Sequence, residues 1–122
     1  METTTNIKES FRDATDLAMA AAEELQASSI ILLDIRMYQT FTDYFIILTT
    51  DSTRQMRAVS ESIRSSLKSQ GTTLYSREGD HNSGWAVLDY GDMVIHLFSP
   101  EDREHFDLRG AWPEGKIVKF IQ

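Results

Sequence analysis

The sequence predicts a single α/β domain, a mixed β-sheet with helices packed on it. Three observations predict it. Strand-length apolar runs recur at 30–35, 44–50, 85–88 and 93–98, and the last two flank a tight turn, Asp89-Tyr90-Gly91-Asp92. Two other segments, 7–26 and 52–71, carry apolar residues at three- and four-residue steps, the period of an amphipathic helix. The chain of 122 residues, 41% hydrophobic and 25% charged, has the size and composition of one globular domain spanning 1–122.

Each element has its own signal. Residues 1–5 are a polar lead. Asn6 with Glu9 fits a capping box, and Ile7, Phe11, Ala14, Ala18, Ala21 and Leu25 form a light apolar stripe behind it. Ile30 to Ile35 is short, apolar and β-branched, a buried strand; Tyr44 to Thr50 is a second. Ser52 with Gln55 opens the next helix. Its apolar side is Met56, Val59, Ile63 and Leu67, and Gly71 marks its end. Its other side carries Arg54, Arg57, Arg64 and Lys68, with Glu61 among them. Thr72 to Ser76 is predicted as the third strand and Arg77 to Ser83 as a polar loop.

The hairpin follows. Its second arm is apolar on both alternating sets, Met93, Ile95 and Leu97 against Val94, His96 and Phe98, so it belongs inside the sheet. On its first arm Trp85, Val87 and Asp89 share one face, while Ala86, Leu88 and Tyr90 share the other. Ser99-Pro100-Glu101-Asp102 starts a short helix ending near Leu108: a capping Ser, Pro at the first position, then acids at the positive end of the dipole. Trp112 to Gly115 is a turn, and Lys116 to Ile121 reads as a last strand at the sheet's edge.

Composition excludes several functions. There is no cysteine, hence no disulfide frame, thiolate zinc site or cysteine nucleophile. The apolar runs are strand-sized and the N-terminus lacks the basic and apolar regions of a leader, so a soluble intracellular protein is expected, with no membrane contact. A net charge of −7 argues against bulk attraction to nucleic acid, and sequence-specific nucleic-acid binding is not expected.

The candidate chemical sets are weak. His81, His96 and His105 have no HExxH or i, i+4 spacing, and the simpler reading is two exposed histidines and one hydrogen-bonded core histidine. Asp43, Asp89 and Asp92 could hold magnesium, but acids flanking a turn are more often turn formers. Asp51-Ser52-Thr53 is the nearest approach to an anion cup, and capping explains it more simply. No GxSxG pattern supports a serine triad. No catalytic residue, metal or cofactor is therefore expected, and the protein is not read as an enzyme. The basic side of the second helix is read first as a solvated face, although it could meet an acidic partner. Such a partner could be the acid-rich segment 78–107 of a second copy.

Several blocks in order and in register carry a family resemblance. Phe41-Thr42-Asp43-Tyr44-Phe45-Ile46-Ile47 with Ser52-Thr53-Arg54-Gln55, then Glu78-Gly79 leading to Gly84-Trp85, then Leu88 through His96, closely resemble the Iojap family of ribosomal silencing factors. Glu101, Arg103, Phe106, Leu108 and Trp112 continue it. The resemblance covers about residues 10–112, within a core of about 7–112; Arg109-Gly110-Ala111 departs from the family pattern, and the tail 113–122 has no counterpart in it. It implies a nucleotidyltransferase-like mixed sheet without the transfer signature. It also implies a cytoplasmic protein, homodimeric in isolation, that binds the large ribosomal subunit through ribosomal protein L-fourteen. Occupying that face blocks joining of the small subunit and represses translation when nutrients are short. The partner-binding surface it implies falls on Trp85, Leu88, Asp89 and Tyr90, with Glu78 and Asp80 as an acidic rim. The alternative is a magnesium-dependent nucleotidyltransferase-like enzyme using Asp43, Asp89 or Asp92; a homodimeric adaptor not directed at the ribosome is a weaker third.

Overall fold

The computed structural model describes residues 9–122, with side chains from residue 13 onward except that of Arg109. The expected Asn6 cap and Ile7 lie outside the described residues, as does the side chain of Phe11. The elements are α1 (Glu9–Glu24), β1 (Ser28–Asp34), β2 (Tyr44–Thr49), α2 (Thr53–Ser69), β3 (Ser76–Asp80), β4 (Trp85–Asp89), β5 (Met93–Phe98), α3 (Pro100–His105), α4 (Leu108–Ala111) and β6 (Lys116–Ile121). One six-stranded mixed sheet runs in the order β3-β4-β5-β2-β1-β6. Only β2 and β5 are parallel neighbours; the other pairs are antiparallel.

β5 and β2 lie at the centre and are buried along their whole length, as their two-sided apolar pattern requires. Both long helices cover one face. Ala14, Ala18, Ala21 and Ala22 of α1 let it approach closely, and Met56, Val59, Ile63 and Leu67 of α2 pack on Ile46, Leu88, Ile95 and their neighbours. The ends of α2 are set locally. Ser52 Oγ accepts from the Gln55 amide at 3.0 Å, and Gln55 Oε1 accepts from the Asp51 amide. At the other end Gly71 takes φ +94°, so that its N–H reaches the Lys68 carbonyl and that of Thr72 the Leu67 carbonyl, each at 2.9 Å. Among the described residues, the opposite face, built on Ile31, Leu33, Phe45, Ile47, Val94 and Phe98, carries no long helix. Tyr38, Trp85, Val87, Leu108 and Trp112 pack there instead.

Two elements differ from expectation. The third strand is Ser76–Asp80, not Thr72–Ser76, so Glu78 and Asp80 lie on a strand rather than in a loop. Pairing with β4 decides this: Ser76 stands opposite Asp89 and Asp80 opposite Trp85. Being an edge strand, β3 exposes its side chains and needs no apolar pattern. Gly79 within it takes φ +79°, and a Cβ there would collide with the Trp85 carbonyl oxygen. The short helix after Ser99 stops at His105, and a separate turn of helix begins at Leu108. Asp107 Oδ1 accepts from the Gly110 amide at 2.9 Å, which favours a new start there over continuation. The edge position expected for Lys116–Ile121 is observed for β6.

Candidate functional site: an aromatic face with an acidic border

β4 presents Trp85, Val87 and Asp89 to the face without long helices, each half-buried, and turns Ala86 and Leu88 into the core. The Trp85 ring lies 4.9 Å from that of Phe98 and 4.6 Å from that of Phe106, centroid to centroid. Its indole N–H donates to His96 Nδ1 at 3.1 Å. An accepting Nδ1 places the imidazole proton on Nε2, and burial holds His96 neutral by lowering its pKa from the ordinary 6.5 to about 4. The hydrogen-bonded core histidine expected from the sequence is thus His96, and its bond partner is the tryptophan. That bond, with the two phenyl rings, fixes the indole's orientation while leaving part of it in solvent.

A second aromatic group continues the face. Trp112 meets Tyr38 edge-on at 4.9 Å and Phe45 at 5.6 Å, and Phe45 meets His96 edge-on at 4.9 Å. Phe41 packs against Phe45 and Trp112 yet remains 64% exposed. Across the sheet, Ile117 stands opposite Leu33 and Phe120 opposite Ile31, so both exposed apolar side chains of β6 lie on this face too. Arg103 ties α3 to the sheet by donating from Nη1 to Thr49 Oγ1 at 2.7 Å; burial lowers its pKa.

The predicted site residues divide by face. Glu78 stands opposite Val87 and Asp80 opposite Trp85, so both exposed carboxylates border the aromatic face. Asp89 borders it from β4, with Oδ1 accepting from the Gly91 amide at 2.8 Å, the role of a turn former. Leu88 and Tyr90 point the other way, into the core under α1 and α2. Leu88 is fully buried, and burial raises the Tyr90 phenol pKa. The structure therefore brings together Trp85, Asp89, Glu78 and Asp80, and places Leu88 and Tyr90 behind them as support. Sequence reasoning on the site missed Phe41, Phe106, Trp112, Ile117 and Phe120. Three of these, Phe41, Phe106 and Trp112, stood in the blocks that carried the resemblance. Among the described residues no group of three or more His, Cys, Asp or Glu side chains is arranged to hold a metal, and no helix is long and apolar enough to cross a membrane.

Comparison with known proteins bears on what this face serves. The family model described as "Ribosomal silencing factor during starvation" matches residues 8–120. The chain belongs to the RsfS family. The match runs to residue 120, into β6, so residues 113–120 of the tail read as having no counterpart fall inside the family's span. The Chromobacterium violaceum ribosomal silencing factor RsfS is 31% identical over 83% of each chain, and that of Bacillus subtilis 28% identical over 84% of this chain and 86% of its own. A crystal structure of a Chromobacterium violaceum protein, 31% identical, superposes with a TM-score of 0.79 over 92% of both chains. Family membership supports a general role in ribosome silencing and translation repression.

Proposed function

We propose that the aromatic face around Trp85 docks on the large ribosomal subunit through ribosomal protein L-fourteen and sterically blocks joining of the small subunit. The observation that carries the reading is a fixed, half-exposed tryptophan bordered by Glu78, Asp80 and Asp89, in a chain of the RsfS family. A ribosomal protein is basic because it lives on RNA. Acids around an aromatic anchor complement such a partner, steering the encounter while the ring supplies buried contact. Occupancy alone suffices for silencing, with no turnover. A cytoplasmic location, a homodimer in isolation and kinship of the core with nucleotidyltransferases belong to the same reading; the crossover from β2 through α2 to the parallel β5 is compatible with that kinship. Asp89, a candidate ligand in the magnesium-dependent alternative, instead accepts the Gly91 amide in its own turn.

Cosedimentation with purified large subunits tests the proposal. Wild-type protein is expected in the subunit fraction, and Trp85→Ala is expected to bind about 2 kcal/mol more weakly. A folded Trp85→Ala protein that binds as wild type would place the anchor elsewhere.

A further inference from the structure

The aromatic face leaves the basic side of α2 unused. Arg54, Arg57, Glu61, Arg64 and Lys68 succeed one another at three- and four-residue steps and so form one stripe along the helix, about 21 Å long. β3 adds to it. Arg77, opposite Leu88, faces the helix side and approaches Glu61 at 3.8 Å, while Arg64 approaches the same carboxylate at 3.3 Å. Five of the chain's 12 Lys and Arg thus lie on this flank, two of them paired with the single acid of α2, in a protein of net charge −7. Arg57 and Arg77 both act to lower the pKa of His81, which places their charges near the same end of the stripe. At the other end a groove of about 630 Å³ opens beside Arg64 and Lys68, and the hydroxyl-bearing Ser65, Thr72 and Thr73 line it.

β3 therefore divides two electrostatic surfaces. Arg77 belongs to the basic flank, and Glu78 and Asp80 to the acidic border of the aromatic face. We propose that the outer side of α2, with its groove, holds an RNA phosphate backbone around the β3 edge from the docking face, without reading its sequence. The proposal rests on ribosome docking for its setting, since phosphate is what surrounds a basic protein on a subunit surface. It reconciles an acidic chain with an RNA-rich partner: attraction is confined to one flank, and the rest of the chain limits diffuse adhesion.

The test uses Arg54→Gln/Arg57→Gln/Lys68→Gln, three exposed positions, with Glu61→Gln as a variant of opposite sign. Circular dichroism confirms folding, and binding to purified large subunits is measured between 50 and 200 mM salt. Each lost phosphate contact removes about 0.7–0.9 from the slope of log affinity against log salt. The triple variant is expected to lose about 2–3 from that slope. Glu61→Gln, which releases Arg64 and Arg77, is expected to bind more tightly and more steeply. Protein-free RNA of the large subunit forms a separate arm at low salt, where wild type binds and the triple variant does not. Failure of wild type to bind whole subunits, with RNA binding intact, would sink the docking reading alone. Unchanged slopes and unchanged RNA binding in the triple variant would overturn the RNA proposal. Loss of self-association in that variant, with slopes intact, would overturn it in favour of the acidic segment of a second copy.

Discussion

Acidification should loosen the aromatic face through one side chain. His96 is 8% exposed, and burial lowers its pKa to about 4 from an ordinary 6.5. The folded value is the lower one, so the unfolded chain takes up the proton first. The group's contribution is therefore whole above pH 6.5 and is lost as pH falls from there towards 4. A shift of that size is worth about 3 kcal/mol in total, and about 2 kcal/mol is gone at pH 5. Protonated Nδ1 can no longer accept from the Trp85 indole, so the same step frees the ring. Urea unfolding at pH 7.5, 6 and 5 reads the loss, with His96→Gln beside wild type to subtract the carboxylates. A loss of about 2 kcal/mol moves the midpoint by about 1 M urea for a domain of this size. Equal pH dependence in the two proteins would refute the assignment of a neutral, buried, bond-accepting imidazole.

Three further outcomes follow from packing and backbone geometry. Trp85→Phe keeps a ring between Phe98 and Phe106 but removes the donor to His96, so thermal or urea unfolding should show a loss of about 1 kcal/mol; Trp85→Ala, which also empties the contact, should lose about 3 kcal/mol. Gly79→Ala sets a Cβ against the Trp85 carbonyl at positive φ and should destabilise the protein by about 2 kcal/mol, with hydrogen exchange accelerated in β3 and β4 before the rest of the sheet. Ser52→Ala removes the acceptor for the Gln55 amide and should cost about 1 kcal/mol in the same unfolding assay, with Ser52→Asp restoring most of it.

The elements legible in the sequence were those whose signals are local. The hairpin of β4 and β5 announces itself by a four-residue turn between arms of unlike pattern, and α2 by its cap, its stripe and Gly71. β3 was displaced because an exposed edge strand carries no hydrophobic period, and only its partner β4 specifies where it starts. The site was half legible for the same reason. Alternation put Trp85 and Asp89 on one face, and the cross-strand register put Glu78 and Asp80 beside them. Leu88 and Tyr90 followed the family pattern into the site list, while the alternation already turned them into the core. Phe106, Trp112 and Phe120 reach the face only through tertiary contacts across many residues, which no local spacing displays.

The central claim is that the acid-bordered aromatic face is what excludes the small subunit. Sedimentation of mixed small and large subunits tests it most directly, with wild-type protein and with Glu78→Lys/Asp80→Lys, two exposed positions at the border of that face. The account predicts that wild type suppresses assembled ribosomes and that the charge-reversed protein, folded and at the same concentration, leaves them joined. Assembled ribosomes undiminished by wild type, or suppressed equally by both proteins, would contradict it.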